Sequence, residues 1–417
     1  MKRLLVMVVC ALVGACTSTE TRLPTDTPPD TTGTGGGVQR ATVTVTVPLL
    51  AADAVVGSAL GWTVVPGATV VLQRSGSAQS ETATTDASGQ ATFTNLLPGD
   101  YSMSVLRTLT QAERGRLNPA DADVDAFGGG VEVQVSAPTT TAQVPAAAGR
   151  RGSLVISELW KGMPFQSVGP QYVFGHYLEL YNNADTIVPL AGKLVFEAIT
   201  GWYEHPLWPC SSLAGASDDP AGVWTSLIYA FPPNAAPLPP GRMTVIATDA
   251  IDHTQLATGT YDLSGAEFEF RGGSDADNPA ALDMVSVGSQ DGGFTQGHGM
   301  YFIGRWLPYG ISNAVDLDAL PRFQHPSGAW DYVRIPAKDV LDLVTIRVPS
   351  VVVPHPDCTF PPVHVSFDRQ PVSVGNPEPQ ALQRRALART GGHPILLRTK
   401  TSARDFPLLS PSPRRVP

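Results

Sequence analysis

Two short acidic stretches in the second half of the chain carry the residue types that hold cations. Asp249, Asp252 and His253 form one, and Asp275, Asp277 and Asn278 the other. Oxygen donors crowded into loops beside strands suit calcium, and the added histidine tilts the first set towards a transition metal. The same pattern also reads as hydrogen-bonded turns on an acidic surface. Earlier, Asp121, Asp123 and Asp125, with Glu132 at the twelfth place, imitate the spacing of a calcium loop. Ala126 stands where that loop needs a glycine, and residues 131–135 read as a strand, which argues against calcium there. Glu158 and Glu179 lie on neighbouring strand-like runs, the arrangement an acid/base pair would need. Trp202, Tyr203, Trp208 and Trp224 suit a platform that stacks on pyranose rings, or else half-buried structural aromatics.

These candidates do not add up to a recognised reaction. The sequence contains no zinc-protease, nucleophile-elbow, P-loop or dinucleotide signature, and its eight histidines are scattered, several beside proline. The expectation is therefore a protein that is not an enzyme, with no catalytic residue and no cofactor. Its body should be acidic: the chain carries a formal net charge of -9 although residues 381–417 hold eight Lys/Arg against one acid, Asp405. Such a body repels nucleic acid. The basic tail either packs back onto that body or reaches lipid phosphates or an acidic partner.

The elements that must position these residues read as strands. SLVISEL (153–159) and YLELYNN (177–183) alternate apolar and polar residues, the period of a half-buried β-strand, as does ATVTVT from Ala41. With 40 Gly, 38 Pro and only 16% charged residues, the composition fits a loop-rich all-β protein long enough for two domains. Thr110-Gln111-Ala112-Glu113 has capping-box spacing and predicts a short helix inserted in the first domain. Residues 138–152, small and polar with two prolines, read as a linker that leaves the domains hinged. Residues 408–417 read as a disordered tail.

Lys2 and Arg3 precede an apolar run that ends in Val13-Gly14-Ala15-Cys16. A basic start, a short apolar core and small residues before a cleavage point make a secretory signal. The cysteine after them resembles the lipobox of bacterial lipoproteins, which implies removal of residues 1–15 and lipidation of Cys16. Several acyl chains hold a protein on a membrane where one would not. Thr17 after the cysteine is similar to outer-membrane sorting sequences, with the periplasmic or cell-surface face left open. Residues 16–39 then form a flexible Thr/Pro/Gly tether. In that oxidising setting Cys210 and Cys358 remain, either as a disulfide or as two buried thiols.

Residues 40–137 resemble a carboxypeptidase regulatory-like, or transthyretin-like, β-sandwich. The likeness rests on Pro66-Gly67-Ala68, on Thr84-Thr85-Asp86 with Gly89, and on Leu97-Pro98-Gly99-Asp100-Tyr101. Starch-binding-like modules share that carbohydrate-binding-like fold class. Residues 153–407 resemble a lamin-tail domain, an immunoglobulin-like sandwich, through Val155-Ile156-Ser157-Glu158, Tyr177 to Asn182 and Pro240 to Ala247. Their later segments look like a narrower family of envelope lipoproteins with a domain of unknown function. Relatives of that kind tend to accompany outer-membrane β-barrel receptors. The resemblance thus implies a binding or accessory subunit, with a carbohydrate-binding module as the alternative.

Overall fold

The alternation of ATVTVT is kept along the whole strand Ala41–Thr46, where Ala41, Val43 and Val45 are buried and the threonines between them are not. The computed structural model describes residues 39–77, 79–160, 175–198, 219–270, 278–288, 308–324, 331–347, 363–374, 380–390 and 393–414. Cys16, Cys210 and Cys358 lie outside the described residues, as do Trp202, Tyr203, Trp208, Asp275 and Asp277.

Among the described residues the chain builds two all-β sandwiches. In the first, Ala41–Thr46 runs between Gln90–Leu96 and Thr139–Gln143 in a three-stranded sheet. The facing five-stranded sheet runs Ser80–Thr84, Thr69–Arg74, Gly99–Thr108, Ala126–Val135 and Ala147–Gly149. Val43, Val45 and Phe93 from one sheet meet Val70, Met103 and Val105 from the other. The turn at Asp86 works as its residues require: the carboxylate accepts from the amides of Ser88 and Gln90 at 2.8 and 3.0 Å, and Gly89 takes φ 69°. The inserted helix Gln111–Arg114 carries both halves of the predicted capping box.

In the second sandwich a seven-stranded sheet contains Met243–Ala247, Tyr177–Asn182, Leu154–Trp160, Ala381–Gln383 and Leu408–Leu409 side by side. Opposite lies an eight-stranded sheet that includes Gly222–Ala230, Leu194–Ala198, Pro308–Ser312 and Val340–Arg347. Ile156, Leu178, Leu180 and Ile246 pack across to Val195, Tyr229, Ile311 and Val344. A fully buried guanidinium crosses this layer. Arg384 donates to the Ile156 carbonyl at 2.8 Å and pairs with Asp342 and, at 3.2 Å, with Asp405, while Arg398 approaches Asp342 at 3.4 Å.

Three sequence expectations need correction. The runs at 154–160 and 177–182 are buried at every position, on both faces. Their polar face is covered by the end of the chain, which no local pattern announces. The supposed hinge at 138–152 is structural: Thr139–Gln143 pairs in parallel with Ala41–Thr46, and Ala147–Gly149 with Ala126–Val135. Threonine and alanine suffice there because the main chain makes the ladder bonds. Residues 408–414 are ordered onto the sheet, with Leu408–Leu409 paired to Ala381–Gln383, so that part of the expected disordered tail is a strand and its continuation.

The two sandwiches are consequently joined along a seam. Leu106 and Ala126 pack on Ile395 and Leu397, and Arg150 and Arg398 exchange backbone hydrogen bonds of 2.7 and 2.9 Å. A Cβ at Gly149 would lie 2.8 Å from the Arg398 carbonyl oxygen, a backbone atom that cannot step aside. Gly149→Val should therefore cost about 1–3 kcal/mol through overpacking. In calorimetry the native chain should melt in one transition and the variant in two; two transitions already present in the native chain would show that the seam does not couple the domains.

Candidate functional site

The two acids that sequence spacing set on neighbouring strands do meet. Glu158 and Glu179 are directly opposite in the antiparallel pair Leu154–Trp160 and Tyr177–Asn182, and like charges so placed repel. The register slips just beyond them, so that Leu180 faces Ile156 and Ser157 becomes an extra residue. This bulge lets the Ser157 hydroxyl reach the same side as the acids, where it donates to Glu179 Oε1 at 2.7 Å. The Tyr177 hydroxyl donates to Glu158 Oε1.

The lid over the pair comes from the end of the chain. The Ser412 amide donates to Glu158 Oε1 at 2.8 Å and its hydroxyl to Oε2 at 3.2 Å. The Arg414 amide donates to Glu179 Oε2 at 2.7 Å, and its guanidinium pairs with Glu267 at 3.1 Å. Gln383, beside Glu158 on the next strand, donates to the Ser410 carbonyl and the Ser412 hydroxyl at 2.7 and 2.8 Å. All four carboxylate oxygens thus accept a hydrogen bond. Burial, with Glu158 adding to it, pushes the Glu179 carboxyl up to about 7 against the bonds from Ser157 and Arg414. Burial, reinforced by Glu158, also raises the Tyr177 phenol, which stays a donor. A carboxyl poised near neutrality beside a second acid has the protonation chemistry of a general acid/base pair. Here that chemistry is covered by residues 412–414.

The acidic stretches behave differently. Asp252 accepts from the amide and hydroxyl of Thr254 at 3.0 and 2.6 Å and so caps the short turn His253–Gln255. His253 is fully buried, with Nε2 2.8 Å from the Asp249 carbonyl, and burial lowers its pKa. Asn278 brings the two stretches together, since its side-chain amide donates to the carbonyls of Ala250 and Ser264 at 2.7 and 3.1 Å. Among the described residues no group of three His, Cys, Asp or Glu converges as a metal site.

Of the four candidate stacking aromatics, Trp224 is the one described. Its indole N–H donates to Asp219 at 2.9 Å, Arg334 lies over its ring at 5.7 Å, and Phe323 meets it edge-on at 4.9 Å. The imitation calcium loop faces the seam: Asp121 pairs with Arg369 at 3.0 Å, Asp123 with Lys400 at 2.6 Å, and Asp125 accepts from the Arg151 amide at 2.6 Å. Asp53 adds Arg404 at 3.2 Å. The crevice lined by Asp53, Asp121, Asp123, Arg369 and Lys400 has about 10 Å³ of room, on the order of a single water. Sequence reasoning missed these partners because the cations arrive from residues 369–404. The excess of Lys/Arg after residue 381 was the available signal, and the reading in which the basic tail packs back onto the body is the one this geometry follows.

Residues 54–126 match the carboxypeptidase regulatory-like domain, and residues 239–412 match a protein family of unknown function, DUF4876. A DUF4876 family protein from Bacteroides thetaiotaomicron superposes over 90% of this chain and 98% of its own, with a TM-score of 0.51 at 18% identity. That likeness shows the fold. Fervidolysin from Fervidobacterium pennivorans matches over 40% of this chain and 27% of its own at 15% identity, with a TM-score of 0.16. The major pilin subunit BcpA of Bacillus cereus covers 73% of this chain and 95% of its own at 10% identity, with a TM-score of 0.17. Superpositions that slight carry no argument. No curated protein matches the sequence.

Proposed function

We propose that this chain, which joins a carboxypeptidase regulatory-like domain to a DUF4876 region, is a lipid-anchored outer-membrane protein. It acts without catalysis as a binding or accessory subunit of an envelope complex, with a β-barrel receptor as its partner. The observation that carries this reading is the state of the acid pair: Glu158 and Glu179 are buried, with every carboxylate oxygen bonded inside the protein. Groups so engaged hold shape. A body of two packed sandwiches is an ordinary physical means of presenting a binding face. The lipobox-like Val13-Gly14-Ala15-Cys16 supports the anchor.

The test is capture of the tagged full-length chain from native envelopes after mild cross-linking and detergent extraction, read by mass spectrometry. Recovery of a β-barrel receptor in stoichiometric amount is expected. The same capture with Cys16→Ser should lose both the membrane fraction and the receptor. Recovery of the chain alone would overturn the accessory-subunit reading.

A further inference from the structure

The segment Ser410-Pro411-Ser412-Pro413-Arg414 is seated on the acid pair in a way that resembles a bound peptide more than a strand end. Prolines at 411 and 413 have no N–H and favour an extended backbone. The amides of Ser412, between them, and of Arg414, directly after the second, are the two that reach Glu158 and Glu179. The Ser412 hydroxyl lies between Glu158 Oε2 and Gln383 Nε2, at 3.2 and 2.8 Å. The guanidinium of Arg414 reaches Glu267. Arg414 itself takes φ 69°, a left-handed conformation that residues other than glycine seldom adopt, so the groove holds the segment against a local backbone preference. Beyond the two-residue pairing at Leu408–Leu409, the segment is held through side chains, with Glu158 and Glu179 accepting from it and Gln383 donating to it.

We propose that the groove over Glu158 and Glu179 is a recognition site for an extended, proline-spaced peptide carrying a hydroxyl residue and, two positions on, a cation. The chain's own residues 410–414 occupy it in cis and keep it closed until a partner segment of that chemistry takes their place. Recognition of an extended peptide by main-chain donors and alternate side chains is an established way for proteins to use a sheet face or edge. The specificity follows from the groups present. The two facing carboxylates select two free N–H groups two residues apart with a non-donor between them, and Glu267 selects a cation. The site adds a binding chemistry to the accessory-subunit reading and rests on that reading only for where the partner segment comes from. Purified protein tests it, so it can fail while envelope capture succeeds, and the reverse.

The probe is a fluorescein-labelled peptide of sequence PLLSPSPR, identical to residues 407–414, titrated by anisotropy against the full-length chain and against full-length Ser412→Pro. The substitution removes the amide and the hydroxyl that reach Glu158 while leaving the rest of the chain in place. It should raise peptide affinity at least tenfold over the native chain, and a peptide with alanine for its arginine should lose most of that gain. Equal affinity for both proteins, or equal binding of a scrambled peptide, would overturn the proposal. The native chain gives an independent reading by hydrogen exchange. Excess peptide should speed exchange at the amides of Ser412 and Arg414, and unchanged exchange at peptide saturation would count against a displaceable segment.

Discussion

Replacing Arg384 by methionine should remove about 3–5 kcal/mol of stability, the largest effect of any single substitution in the second sandwich. The guanidinium is fully buried and is the counter-charge shared by Asp342 and Asp405. It also donates to the carbonyls of Ile156 and Leu397 and lies 4.4 Å from the centre of the Phe406 ring. Without it Asp405 has no cation in contact and Asp342 keeps only Arg398, at 3.4 Å. Burial already pushes the Asp405 carboxyl up to about 6, against the pull of Arg384. Loss of the arginine must push it further, so the variant should regain part of its stability in acid, and adding Asp405→Asn should restore part of it at neutral pH. Urea unfolding at two pH values measures all three. A loss under about 1 kcal/mol for Arg384→Met would mean that water reaches the cluster and screens it.

The second large effect is a dependence on pH. The Glu179 carboxyl is held near 7 in the folded protein, against 4.5 for the unperturbed group. The folded state therefore binds this proton more tightly than the unfolded one, and the associated stability is present at low pH and lost as pH rises through about 7. Two and a half pH units at about 1.4 kcal/mol each make the full difference about 3.5 kcal/mol, and slightly less than that falls between pH 4 and pH 8. Glu179→Gln removes this titration. The stability difference between the native chain and the variant should change by about 3 kcal/mol between pH 4 and pH 8, in favour of the variant at pH 8. The depressed His253 works in the opposite sense, its contribution being lost as pH falls, but it is common to both proteins and cancels from the comparison. A difference that stays flat over this range would place Glu179 in contact with solvent.

How much of this was legible depended on how far apart in the chain the interacting residues lie. The capping box at Thr110 and Glu113 spans three residues, and it formed as written. The runs around Glu158 and Glu179 announced two strands and set their acids side by side. They could not announce that the polar face would be closed, because Ser412 reaches Glu158 across 254 positions. For the same reason the alternation predicted half-buried strands where fully buried ones occur. The linker reading failed on composition: TTTAQ carries no large side chain, yet main-chain pairing with Ala41–Thr46 makes it a strand. The acids at 121, 123 and 125 showed a spacing that suits a bound cation, and the cations they meet or lie beside are arginines and a lysine of the same chain.

The strand Ala41–Thr46 begins two residues after the point where the upstream chain joins the body at Gln39. It is flanked by an antiparallel ladder with Gln90–Leu96 and a parallel ladder with Thr139–Gln143. Any tension transmitted through the upstream chain is therefore delivered along a central strand and loads both ladders in shear, so that their hydrogen bonds must give way together and not one by one. If the chain is held at this end, as the proposed anchor implies, the segment 139–143 that composition reads as a slack connector is one of the two braces that resist the pull.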